Sequence, residues 1–367
     1  MGVVASALIA QLARIRVNRR QPSVHEVIDS VRAGSAVTIA RGLAHGFESA
    51  ALPIAALAVS LCAAFQLGAR SGIVSGGLLG MATALSAFVA ASPYMLAVGL
   101  FGPIVAGATT VMALDPEATA TDARRRGASL DEAGFEGSVA AQAFFIVLGG
   151  SAALASGLWI LIARGAPRTD VAPALALPAV ICCGLLGATV VAGLCGRTLA
   201  TAARATRSAV LEVERQLRGF PRDGGIAMVP EAYTPSYRAV VELTSKVALK
   251  GALAPAFFGL AAPAALGFAL RLLYTSSDLV AEGLTSFVVL ASATGLGIAL
   301  ANDGSRSVLG AAHRANRLHG GGAGSEAALA GQALGTFFGD IAAPAAHLYL
   351  TATAAMALVI APLISTL

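Results

Sequence analysis

Residues 295–350 read GLGIALANDGSRSVLGAAHRANRLHGGGAGSEAALAGQALGTFFGDIAAPAAHLYL. A nearly uncharged helical run reaches Asn302-Asp303-Gly304, a basic Gly-rich link follows, and a second apolar helix carries Asp340 and His347 near its start. Ionisable groups cost about 2.5–3.5 kcal/mol each at the bilayer centre even on the mild insertion scale. Charges gathered at the joint of two apolar runs therefore read as two membrane helices whose polar ends meet at one surface. On this reading Asp303 and Asp340 end the last two spans and face one basic loop, and the fold class is an all-α polytopic membrane protein.

The whole chain agrees with that class. Of its 367 residues 56% are hydrophobic and only 12% charged, against roughly 25% charged in an average soluble domain, and the mean hydropathy is +0.76. Forty-one glycines suit close helix packing in lipid. The net charge of +5 fits the cytoplasmic excess of Arg in membrane proteins, so no nucleic-acid partner is expected. Cys62, Cys182, Cys183 and Cys195 sit in apolar runs without metal-type spacing and read as small buried hydrophobes.

A span needs roughly 20 helical residues. Val3–Ala13 is too short on that measure and reads as a helix end or an interfacial segment. In the basic stretch up to Arg41, Val24, Val27, Ile28 and Val31 follow helical spacing, which predicts an amphipathic helix at the membrane surface. Residues 1–41 thus form a short apolar segment and a basic cytoplasmic stretch, and residues 42–367 one transmembrane bundle. Spans are expected near 42–67, 72–114, 137–163, 173–196, 252–274, 279–301 and 332–365, with loops near 115–136, 197–250 and 302–331. Within 197–250, Arg197–Arg218 reads as an extension of the preceding span, PRDGG as a break, and Thr234 and Pro235 as the cap and first position of the next helix. Residues 72–114 are either one long helix or two spans broken at Ser92-Pro93. One crossing leaves all of the 25 basic residues except Arg70, Arg164, Arg168 and Arg271 on one side. The positive-inside rule therefore favours seven spans with the basic loops cytoplasmic, in a multi-pass protein of a bacterial inner membrane.

Several segments, taken in order, resemble the C-terminal half of the membrane-integral pyrophosphatases, which hydrolyse pyrophosphate to move protons or sodium ions. They are VHEVIDSVRAGSAVTIARGLAHGFESAALP at 24–53, GPI at 102–104, LEVERQL at 211–217, PSYRAVVELTSKVAL at 235–249, GLGIALAN at 295–302, GSEAALAG at 324–331 and LVIAPLI at 358–364. The resemblance implies long helices protruding into the cytoplasm, a homodimer, and a funnel of aspartates and lysines that holds magnesium pyrophosphate. This chain departs from that pattern. Ala106 and Gly107 stand where the family has Asp-Asn, and Ser307, Val308, Leu309, Gly310, Ala311 and Ala312 stand where it has Trp-Asp-Asn-Ala-Lys-Lys. In the last helix only Asp340 stands at a comparable acidic position. No cofactor is then expected, and Mg only if a pyrophosphatase activity remains.

Arg41, His45 and Glu48 share a helical face at i, i+4 and i+7. His45 and Glu48, with Asp303, Asp340 and His347, which lies seven residues after Asp340, are the candidates for an ion or proton relay. The plainer reading makes them interfacial ion pairs, with Arg306 or Arg314 serving the aspartates. HGGGAG at 319–324 lacks the Lys-Ser/Thr of a phosphate loop and reads as a flexible linker. The leading functional reading is a membrane subunit that has lost hydrolysis and acts as a structural or interaction component. Its partners would be the lipid bilayer, further copies of itself, or other membrane subunits. The alternatives are a pump completed by a separate N-terminal half and a secondary ion transporter.

Overall fold

The computed structural model describes residues 1–18, 21–114, 121–163, 177–223, 226–230, 233–318 and 324–366. Helices α1 (Gly2–Val17) and α2 (Pro22–Ser30) lead, through a 3-10 turn and Gly34 at φ 108°, into α3 (Ser35–Ala69). Then follow α4 (Gly76–Ala87), a 3-10 turn at Phe88–Ala91, α5 (Ser92–Leu114), α6 (Thr121–Ala163) and α7 (Pro178–Leu217). A two-residue antiparallel pair, Arg222–Asp223 with Ile226–Ala227, separates α7 from α8 (Tyr237–Leu273). The chain closes with α9 (Ser277–Leu318), α10 (Ser325–Thr336), a π-helical turn at Phe337–Ala342 and α11 (Ala343–Thr366).

Among the described residues seven helical stretches are long and apolar enough to cross a membrane, with α4–α5 and α10–α11 each counting as one. Of the two readings of 72–114, the single crossing favoured by the charges matches the structure, where only a 3-10 turn at Phe88–Ala91 precedes Ser92-Pro93. Pro93 falls in the first turn of α5, where a missing N–H costs no helix hydrogen bond.

Helix α9 is the axis of the bundle. About 67% of its most apolar window is buried, and it packs against α3, α6, α7, α10 and α11. At 42 residues it is about 63 Å long, twice the roughly 30 Å hydrocarbon core. The Asn302-Asp303-Gly304 junction expected from sequence is therefore absent, because the helix runs through it to Leu318. Much of the stretches read as loops at 115–136, 197–250 and 302–331 is likewise helical. Residues 115–120, the side chains of Arg124 and Arg125, and 319–323 of the glycine link lie outside the described residues.

The protruding ends hold one another. Arg314 of α9 pairs with Asp131 of α6 and stacks on Phe135 at 4.3 Å from the ring centre, a partnership the sequence reading did not name. Helix α2 has the expected helical spacing, but its apolar face is not on lipid. Val24 and Val27 are buried against Val308 and Leu309 in a cluster built on the extension of α9. Helix α1 also departs from the interfacial reading, since Ala5, Ile9 and Ala10 are buried in the main core among α3, α4 and α6. The start of α8 is capped at Ser236, two residues after Thr234; its N–H donates to Gln216 Oε1 at 2.9 Å.

Candidate functional site

The site lies where the apolar runs of α3 and α9 meet their polar extensions. Gly46 and Gly304 make the contact. A Cβ on Gly46 would collide with Ser305 Oγ and the Ala301 carbonyl, and one on Gly304 would lie 3.1 Å from the Gly46 Cα and strike Ser49 Oγ. Only hydrogen at both positions lets the backbones approach this closely, as small-residue pairs do in membrane helices. The residues beside these glycines are carried inward with them. His45 and Asp303 are each 3% exposed.

His45, Asp303, Ser49 and Arg16 line a small cavity of about 20 Å³ between α1, α3, α6 and α9. A single water needs about 10–15 Å³ of such space. Neither ring nitrogen of His45 makes a hydrogen bond of normal geometry among the described residues, although the Arg16 main chain stands beside it. Ser49 Oγ donates to the Gly46 carbonyl at 2.9 Å, which leaves its lone pairs toward the site.

His45 also lines a second space. With Glu26, Arg41, Glu48 and Ser23 it borders a pocket of about 510 Å³ between α2 and α3. Glu48 and Arg41 are exposed there, and Arg41 pairs with Glu26 of α2 and not with Glu48. The imidazole is thus a wall shared by a wide pocket bearing two carboxylates and a small cavity bearing one.

The other two candidates lie elsewhere. The backbone of Asp340 is in the π turn, and its side chain lies outside the described residues. His347 borders neither space; its ring rests on Gly149 of α6, where a Cβ would strike it. The shared face expected for Asp340 and His347 is offset, because an i→i+5 turn lies between them.

Sequence reasoning missed a third polar contact. Arg306 Nη1 donates to Gln142 Oε1 at 2.9 Å, and Gln142 Nε2 donates to the Gly339 carbonyl inside the π turn at 2.8 Å. Gln142 is the only polar residue in 139–150, a signal that was available in the sequence.

Among the described residues no three His, Cys, Asp or Glu side chains gather as a metal site. Magnesium takes carboxylate and other oxygen ligands, whereas the small cavity offers one carboxylate beside an imidazole and a guanidinium. These residues do not fit the magnesium that the resemblance implies.

Comparison with known proteins agrees with this architecture. The chain is 28% identical to the K(+)-insensitive pyrophosphate-energized proton pump 2 of Moorella thermoacetica, over 99% of this chain and 52% of that protein. It is 28% identical to the pyrophosphate-energized membrane proton pump 3 of Arabidopsis thaliana, over 99% of this chain and 46% of that one. A putative K(+)-stimulated pyrophosphate-energized sodium pump of Clostridium tetani is 26% identical over 99% and 52%. The chain therefore spans about half the length of the curated relatives it matches. The family model for inorganic H+ pyrophosphatase matches residues 1–360, and the chain belongs to that family of membrane proteins.

Proposed function

We propose that this chain is the ion-translocating half of a pyrophosphate-energised pump, with hydrolysis supplied by another polypeptide. The observation that carries the reading is the position of His45 between the Glu48 pocket and the Asp303 cavity. Imidazole can take a proton at one nitrogen and release one from the other, and it does so near neutral pH. A proton entering from the Glu48 pocket reaches His45, crosses a space the size of one water, and arrives at Asp303. Glu48 attracts a proton onto His45, and Arg16, which lines the Asp303 cavity, discourages it from resting there. His45 and Asp303 are then the entry stations of the path, with Glu48 as its collecting carboxylate. The basic ends of the spans face the cytoplasm.

The full assembly is needed to test this. Vesicles from the native membrane, given magnesium pyrophosphate and a pH-sensitive dye, should acidify, and vesicles lacking this chain should not. Pyrophosphate-driven uptake that survives deletion of the chain would remove it from the pump.

A second reading is favoured by Ala106, Gly107 and residues 307–312, where the resemblance calls for acids, amides and lysines. A chain without them can serve as a structural subunit of a homo-oligomer or a larger membrane assembly. Mild purification with mass spectrometry separates the two. A stoichiometric partner rich in aspartates supports the pump, and a partner of unrelated chemistry supports the structural role.

A further inference from the structure

Five of the cations along α7 and α8 form two sets; Arg207, Arg238 and Arg271 belong to neither. Farther from the apolar runs, each of two cations has a carboxylate on its own helix: Arg215 pairs with Glu212 and Lys246 with Glu242, both at 2.7 Å. Nearer the apolar runs, Arg197, Arg204 and Lys250 have none. Residues 197–211 and 243–277 contain no Asp or Glu, and none of the three cations makes an ion pair among the described residues.

These three unpaired cations line one cleft of about 360 Å³ between the two helices. Its inner end is set by Gly251, where a Cβ would sit 3.3 Å from Thr201 Cγ2, so the helices touch there. Thr201 Oγ1 donates to the Arg197 carbonyl at 2.8 Å and accepts from Arg204 Nη2 at 2.9 Å. The threonine has no proton left for a ligand, but it fixes the guanidinium at the cleft. The remaining lining is apolar and includes Leu194, Val247 and Ala254. Three like charges gathered in a cleft without a counter-charge repel one another, and an anion relieves that repulsion. Guanidinium forks and an ammonium group suit phosphate oxygens.

We propose that this cleft binds a phosphate group, carried either by the headgroup of an anionic phospholipid or by free inorganic pyrophosphate. The apolar lining, at the level where both helices leave their apolar runs, suits the first source. The triple positive charge suits the second. The proposal is independent of the His45 path.

The test uses the purified full chain in neutral detergent, followed by thermal unfolding. One arm adds phosphatidylglycerol with phosphatidylcholine as its neutral control. The other adds inorganic pyrophosphate without magnesium. Either anion should raise the melting temperature, and each of Arg197→Gln, Arg204→Gln and Lys250→Gln should weaken its apparent affinity about fivefold. Lys246→Gln, which removes a paired lysine outside the cleft, should change it less than twofold. Stabilisation by phosphatidylglycerol alone assigns a lipid, and stabilisation by pyrophosphate alone assigns the free anion. The proposal is overturned if neither anion stabilises the protein. It is equally overturned if the triple variant, melting normally in phosphatidylcholine, responds as the native chain does, or if Lys246→Gln costs as much as Lys250→Gln.

Discussion

His45 and Gly46 are adjacent and are held in place for opposite reasons. The imidazole is buried with neither nitrogen in a normal hydrogen bond, and a buried polar group in that condition costs about 1–3 kcal/mol. His45→Leu should therefore leave the melting temperature unchanged or raise it while abolishing ion uptake. A fall of several degrees would show that the ring serves packing. Gly46→Leu should act in the other direction. Its side chain must displace the α9 backbone at Ala301 and Ser305, an overpacking cost of about 1–3 kcal/mol or more, read as loss of folded protein in detergent. The sequence marked His45, Glu48 and Asp303 as ionisable groups set in or beside apolar runs, which is a strong signal in a membrane chain. It set His45 and Glu48 on one face but did not bring His45 to Asp303, since that meeting follows from Gly46 facing Gly304, and spacing along one helix carries no information about a second.

At the scale of elements, helix existence was legible and helix ends were not. Asn302-Asp303-Gly304 has the composition of a turn, yet it sits mid-helix. A glycine inside a helix costs about 1 kcal/mol relative to alanine, and at Gly304 the close approach of α3 offsets that cost. The amphipathic spacing of α2 was likewise readable, while its burial depended on a protruding α9 to pack against. The π turn at Phe337–Ala342 had no sequence signature, and Gln142 holds it from outside through the Gly339 carbonyl and Arg306. Gln142→Ala leaves a buried carbonyl and a guanidinium without that amide. It should destabilise the protein by about 1–3 kcal/mol, measured by thermal unfolding; a change below about 0.5 kcal/mol, the usual size for a neutral surface site, would show that the turn stands without it.

On the scale of the molecule, charge distribution gave the parity of the crossings before any helix was placed, because lipid tolerates few basic residues and their side is biased. With seven spans, the segments before Ser35, between α5 and α6, and between α7 and α8 share one side, and Arg70 lies on the other. Single cysteines at Arg126 and Gly219 should react with an impermeant maleimide only in inverted membrane vesicles, and a cysteine at Arg70 only in right-side-out ones. Labelling of Arg126 and Gly219 from opposite sides would break the topology. What the bundle conducts is tested by pyrophosphate-driven proton uptake in the complete assembly carrying His45→Gln or His347→Gln. His45→Gln should lower uptake at least tenfold with protein level and pyrophosphate hydrolysis retained, and His347→Gln should keep near-native uptake. Equal, native-like uptake by both variants would contradict the His45 path.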